Sequence, residues 1–144
     1  MQVILRAYQP SDHDALALLF YQIRKEEFPW TDQKHLSAAD FDRSTDGERI
    51  IVAEVQGKTA GFLSVWEPNR FIHNLFVDKK YRRAGIGRQL IRWALSEYGT
   101  PLGLKCAAAN TAALEFYQNS GRQTDGEGRG EEGLYYLLSL RKAK

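Results

Sequence analysis

Apolar residues along the chain switch between a period of two and a period near 3.6, and polar or glycine-rich breaks separate the runs. Gln2 to Tyr8 reads as a strand. Pro10 and Ser11 then introduce a helix, with Ser11 as its N-cap and Asp12 and Asp14 at its positive end. Leu16, Leu19, Phe20 and Ile23 recur at the i, i+3, i+4, i+7 spacing of a buried stripe, and Phe28-Pro29-Trp30 ends the helix. Ser37, with Asp40 three residues on, caps a short second helix. Asp46-Gly47 is a turn. Three strands follow: Ile50 to Val55, Thr59 to Trp66 and Phe71 to Val77, joined by the turns Gln56-Gly57-Lys58 and Glu67-Pro68-Asn69-Arg70.

A loop from Asp78 to Gly85 leads into a helix from Ile86 to Tyr98, with Ile86, Leu90, Ala94 and Tyr98 along one face and Gly99 and Pro101 stopping it. Leu102 to Ala107 is a short strand, and Thr111 to Asn119 is a helix ended by Gly121. Arg122 to Thr124 begins a strand. A glycine-rich acidic loop intervenes, and Leu134 to Leu140 closes the sheet. Strands joined by tight turns are antiparallel, and the helix from Ile86 to Tyr98 permits a parallel neighbour. The expectation is a mixed α/β sheet with helices on both faces. With no internal repeat or linker, residues 1–144 are expected to form one domain.

Composition narrows the class. The 144 residues are 43% hydrophobic and 26% charged, which is ordinary for a globular chain. No apolar run approaches the ~18 residues that span a bilayer, and Met1 to Arg6 lacks a secretory pattern. A single cysteine, Cys106, excludes an intramolecular disulfide and a Cys-based zinc site; no metal is expected, and the compartment is expected to be a reducing cytoplasm. Net charge is only +2 but uneven: six bases against one acid from Asp78 to Arg92, and nine acids against four bases from Asp12 to Glu48. One compact basic segment fits a localised anionic ligand better than nucleic acid, which requires a broad basic face.

That segment is Arg82-Arg83-Ala84-Gly85-Ile86-Gly87-Arg88, set between a strand and a helix. Its glycines let backbone approach a ligand, the free N–H groups of the helix's first turn favour an anion, and three arginines add charge. A phosphate or pyrophosphate is the natural occupant. A dinucleotide fingerprint is broken at Leu90, where a third glycine would stand, and no Walker loop is present.

Arg82-x-x-Gly85-x-Gly87 resembles the acyl-CoA signature of the GNAT superfamily of N-acetyltransferases: Gln or Arg, two residues, Gly, one residue, Gly or Ala. Phe71 to Asp78 is similar to that family's fourth strand, and Asn110-x-x-Ala113-x-x-x-Tyr117-x-x-x-Gly121 to its second CoA motif. The resemblance covers essentially the whole chain. It implies a β-α-α-β-β-β-α-β-α-β-β fold with a mostly antiparallel sheet and acetyl-CoA as the acyl-donor cosubstrate. It further implies that backbone groups of Leu75, Phe76 and Val77 pair with the pantetheine arm. Amides from Arg83 to Arg88, through Ala84, Gly85, Ile86 and Gly87, would hold the pyrophosphate. Asn110 would contact the arm or its ordered water, and Tyr117 would act as general acid to the departing thiolate. An opening between the fourth and fifth strands would admit cofactor and amine from opposite sides.

A tyrosine is protonated at neutral pH and can donate to a thiolate. The attacking ammonium must lose a proton, and His73 is the best candidate base or relay, since imidazole titrates near pH 6.5. Glu54, Glu67 and ordered water are the alternatives, while His13 and His35 read as surface residues. Alternation places Phe71, His73, Leu75 and Val77 on one face and Asn74 on the other, unless a bulge shifts the register. Cys106 reads as a buried inert thiol. Arg122 departs from the family, which usually has an aromatic after Gly121, and weakens the expected packing there.

On the acceptor side, the resemblance brings together Phe28, Trp30, the acids from Glu26 to Asp46 and the loop Asp125 to Glu132. Those walls suit a small cationic amine metabolite. A protein lysine or N-terminus, or a non-catalytic acyl-CoA-binding module, are the alternatives. No nucleic-acid or membrane partner is expected, and a homodimer is possible by family analogy.

Overall fold

A computed structural model describes residues 2–27, 36–37, 39–130 and 133–141. Its elements are β1 (Val3–Ala7), α1 (His13–Glu27), α2 (Asp40–Thr45), β2 (Arg49–Val55), β3 (Lys58–Trp66), β4 (Phe71–Val77), α3 (Ile86–Tyr98), β5 (Leu102–Ala107), α4 (Thr111–Gln118), β6 (Arg122–Gly130) and β7 (Gly133–Leu140). This is the expected order. Among the described residues, no helix is long and apolar enough to cross a membrane.

The strands form one seven-stranded sheet in the order β1-β2-β3-β4-β5-β7-β6. Every neighbouring pair is antiparallel except β4 and β5, which the crossover through α3 makes parallel. That parallel pairing is short. Phe71 faces Gly103 and Ile72 faces Leu104, and then the strands part. On its other edge β4 stays paired with β3 as far as Val77.

The sheet separates two apolar clusters. Ile86, Leu90, Ile91, Ala94 and Leu95 of α3 pack with Ile51, Leu63, Val65, Ile72 and Leu104 on one face. Leu16, Phe20 and Ile23 of α1 and Phe41 of α2 pack with Val52, Phe62 and Phe76 on the other, where the Phe62 and Phe76 rings stack 5.5 Å apart. With both faces covered, β2 and β3 bury nearly every side chain, so they read as continuous apolar runs. Leu16 is fully buried, and its truncation to alanine costs about 2–5 kcal/mol.

Three local expectations are corrected. The chain enters α1 through a 3-10 turn at Pro10–Asp12 capped from Gln9, so Ser11 is not the N-cap. Asp12 is buried there, accepting from the Gln9 N–H at 2.8 Å and from Arg6 at 2.7 and 2.8 Å. The Arg6 hydrogen bonds hold its carboxyl below the usual aspartate range. Before α2, the Ser37 hydroxyl accepts from Ala39 N and Asp40 reaches back to Ser37 N, so the helix begins at Asp40.

The third concerns Asp125 to Gly130, expected as a loop, which continues β6 as the sheet's edge strand. Gly126, Gly128 and Gly130 lie opposite Leu137, Tyr135 and Gly133. A Cβ on Gly128 would stand 2.5 Å from the Tyr135 hydroxyl oxygen. Glycine there makes room for a ring lying across the strand, rather than for a turn.

Candidate active site

The parting of β4 and β5 opens the sheet. β4 keeps only its β3 partner beyond Ile72, so alternate backbone groups along 73–77 face the gap. The Val77 carbonyl accepts from the Arg82 guanidinium at 3.1 and 3.3 Å. A cavity of about 1090 Å³ occupies the gap. β4 from Ile72 to Phe76, β5 from Leu104 to Ala107, and Asn110, Ala113 and Tyr117 line it. Phe20 and Arg24 of α1, Asp40, Arg43 and Ser44 of α2, and Tyr135 of β7 complete the wall.

His73 sits at a β-bulge. Asn74 faces Ser64 and Ile72 faces Val65, leaving His73 as the extra residue. Simple alternation therefore fails across it. Ile72, Leu75 and Val77 all pack toward α3, while Phe76 joins the α1–α2 cluster. Asn74 binds Ser64 Oγ at 2.8 Å and Ser44 Oγ of α2 at 3.1 Å. The His73 ring is 41% exposed and lines the cavity, with Nδ1 2.7 Å from Glu48 Oε2.

Tyr117 forms part of the opposite wall. It is the buried member of α4, 8% exposed. No hydrogen bond joins its hydroxyl to the described residues, its side chain lines the cavity, and burial, followed by nearby Cys106, raises its pKa above the ordinary phenol value. Cys106 lines the same cavity, and burial pushes its thiol up to about 11, as an inert thiol requires. Asn110 caps α4, its Oδ1 accepting from Ala113 N at 3.2 Å. Arg122 Nε donates to Leu114 O at 2.8 Å, so the guanidinium ties α4 to β6.

The arginine–glycine turn lies past Val77, outside the large cavity. Gly85 is the N-cap of α3 at φ +77°, and nothing lies within 4 Å of where its Cβ would stand. The first amide to bond back is Gln89, to Gly85 O at 3.0 Å, leaving the amides of Gly85, Ile86, Gly87 and Arg88 without a backbone acceptor among the described residues. No described carboxylate pairs with Arg83 or Arg88. Gly87 packs on Phe116 of α4, and Arg88 lines a smaller cavity of about 240 Å³ with Arg92 and Phe116. Open space, unclaimed amides and unpaired cations fit an anionic group such as a diphosphate.

Other expected residues fall elsewhere. Glu54 binds Arg6, and Glu67 accepts from the Tyr98 hydroxyl, so neither lines the cavity. His13 is a surface residue between Asp14 and Asp42, whose hydrogen bonds raise its pKa. Phe28, Trp30 and His35 lie outside the described residues, as do Glu131 and Glu132. Asp32, of the expected acidic wall, also lies outside the described residues. Asp40 is the one carboxylate among the described lining residues, and Arg24 and Arg43 both bind it. The residue the sequence did not bring forward is Glu48, which only the tertiary fold places beside His73.

Residues 17–121 match the acetyltransferase (GNAT) family. An uncharacterized N-acetyltransferase of Methanocaldococcus jannaschii is 36% identical over 90 residues, 53% of this chain but only 39% of that protein's length. The ribosomal protein bS18-alanine N-acetyltransferase of Escherichia coli K12 is 28% identical over 116 residues, 75% of this chain and 74% of its own. The crystal structure of the Escherichia coli bS18-alanine enzyme superposes with a TM-score of 0.74 at 22% identity, over 99% of this chain and 97% of that one. The solution structure of Escherichia coli YjaB in its apo form gives 0.81 at 18% identity, over 99% and 100%. At such identities the superpositions speak for the fold.

Proposed function

The chain belongs to the GNAT family of acetyltransferases, whose enzymes use acetyl-CoA as acetyl donor, and from that premise we propose that it acetylates a primary amine held between β4 and β5. The observation that carries this reading is the parting of those strands beside a cavity walled by Tyr117 and His73. Bound there, acetyl-CoA supplies an acetyl group activated as a thioester. The amides from Gly85 to Arg88 suit its diphosphate, whereas that of Ala84 donates to Tyr81 O at 3.3 Å. The open backbone of β4 at Leu75 and Phe76 suits an extended amide arm, as a sheet edge takes up an added strand. Asn110, its oxygen committed to the cap, offers that arm its NH2 group.

Two side chains handle protons. Tyr117 keeps its own because burial disfavours the charged form, so a neutral phenol stands ready to donate to a leaving thiolate. His73 faces the acceptor side of the cavity and takes a proton from the incoming ammonium.

For the acceptor, a small cationic metabolite draws support from Asp40 alone. A second reading, an amine on a peptide or carboxylate-bearing molecule, is favoured by the charge balance of the described lining, where Arg24, Arg43 and Lys105 stand against the one carboxylate of Asp40. Thermal shift with acetyl-CoA, then thiol release across diamines, alkylamines, amino acids and alanyl peptides, tests both levels. We expect stabilisation by acetyl-CoA and release with at least one amine. Stabilisation with no release from any acceptor would leave a binding module in place of an enzyme.

A further inference from the structure

We infer that Glu48 is a positioning residue for His73: its carboxylate holds the imidazole with the proton on Nδ1 and the lone pair of Nε2 free for the acceptor, and it balances the charge His73 gains. The inference rests on the reading of His73 as the base.

A carboxylate only accepts hydrogen bonds, so the ring nitrogen 2.7 Å from Glu48 Oε2 is the one that bears hydrogen. In the neutral ring that leaves Nε2 bare. Proton transfer then balances simply: the ammonium N–H bond breaks, an Nε2–H bond forms, and the positive charge moves from the amine to the imidazolium. Nδ1 keeps its proton against Glu48 throughout.

The surroundings of Glu48 suit this task and not a stabilising one. Its side chain is 6% exposed, and Oε1 is buried with no hydrogen-bond partner among the described residues. Asp12 shows how this fold satisfies a buried carboxylate when structure is the purpose, with two bonds from Arg6 and one from Gln9 N. Glu48 receives a single described side-chain donor, and that donor can be neutral. A cation is available next door, yet Arg49 turns instead to Glu97 at 2.7 Å and Glu67 at 3.6 Å. A buried anion left short of donors is costly, and an imidazolium at Nδ1 relieves that cost at the moment the ammonium gives up its proton.

The backbone makes the pair possible. Glu48 precedes β2 and His73 starts the bulge in β4, at the same end of the sheet with β3 between them. Without the extra residue, the ring would follow the alternation of β4. The other charged residues described along the cavity that His73 lines come from three elements: Arg24 of α1, Asp40 and Arg43 of α2, and Lys105 of β5. Asp40 is already bound by both arginines. Glu48 is therefore the described anion left to balance His73.

The test uses the full chain. Long-range ¹H–¹⁵N correlation on histidine-labelled protein should find neutral His73 protonated at Nδ1; a proton at Nε2 overturns the inference without any variant having to fold. Thiol release is then measured with n-butylamine, protonated at neutral pH, and hydroxylamine, already neutral there. For Glu48→Gln, kcat with butylamine should fall about tenfold or more, part of the roughly hundredfold that a general base supplies. KM for acetyl-CoA should hold, and the loss with hydroxylamine should stay within about twofold. Equal losses on both amines, or none on butylamine, overturn it. His73→Gln separates the two readings. If that variant matches the parent on butylamine, the base itself is misassigned; if it fails while Glu48→Gln does not, only the role of Glu48 falls.

Discussion

The two walls of the cleft keep their proton-handling groups ready by opposite means. Tyr117 is buried, has no hydrogen-bonding partner among the described residues, and holds its proton because burial disfavours its charged form. His73 is half exposed and leans on a carboxylate that is itself buried. A proton donor needs only that its charged form be disfavoured, and apolar packing does that alone. An acceptor must become a cation, and a nearby anion lowers that cost. One wall can therefore be built from a single helix, whereas the other has to draw on two strands and a turn.

The largest effect removes the ligand both walls serve. Gly85→Asp puts a carboxylate into the open space beside the unclaimed amides of α3, at a left-handed φ that a side chain tolerates poorly. Acetyl-CoA affinity, by calorimetric titration, should drop about a hundredfold or more, since an anion would meet like charge at the helix N-terminus. The same φ costs folding about 1 kcal/mol, so the melting temperature should fall modestly, and affinity is read well below it. Retained affinity would take the diphosphate away from this turn.

Next comes the donor wall. Tyr117→Phe should lower turnover about a hundredfold while acetyl-CoA affinity stays within about twofold, because the hydroxyl acts on the leaving group and not in binding. Stability at neutral pH should hold too, as the lost hydroxyl makes no hydrogen bond to the described residues. A variant as fast as the parent would mean that the thiolate finds its proton elsewhere.

The contrast between the walls also explains what could be read from the sequence. Strand β4, helix α3 and strand β5 have the bounds that their hydrophobic runs and stop signals predict, because each is specified locally by period, glycine and proline. The cap at Asn110 and the buried Tyr117 one helical face away are local in the same sense. Three features were not. The bulge at His73 is set by pairing with β3, so alternation alone does not tell on which side of it the faces of β4 change over. Glu48 is one of nine acids between Asp12 and Glu48, and nothing in its neighbours marks it as the one that meets a histidine 25 positions on. The strand through Asp125 to Gly130 was hidden by turn-forming residues, although glycine at alternate positions 126, 128 and 130 carried a strand's period of two.

A milder effect comes from alkaline pH. The folded-state pKa of Tyr117 lies above its unfolded value near 10. Its contribution to stability is therefore fully present below about pH 10 and is lost as pH rises toward the folded value, because the unfolded phenol ionises first. Tyr98, pushed up to about 12 by burial and then by Glu67, acts in the same direction. Melts through the alkaline range should show the parent losing stability more steeply than Tyr117→Phe. Parallel curves would mean that burial does not disfavour the charged phenol, and the account of the donor wall would lose its physical basis.

The smallest effect is expected from the neighbour of Tyr117 that looks most reactive on paper. Cys106 lines the cavity, but burial holds its thiol up to about 11, so at neutral pH almost none is thiolate. Cys106→Ala should keep turnover within about twofold and cost about 1 kcal/mol of stability from the lost packing. Iodoacetamide should label the parent slowly until the pH approaches that value. A loss of turnover beyond tenfold, with folding intact, would bring the thiol into the chemistry. Direct transfer to the amine would then give way to an acyl-enzyme, and Tyr117 would no longer be the group that the thioester sulfur meets first.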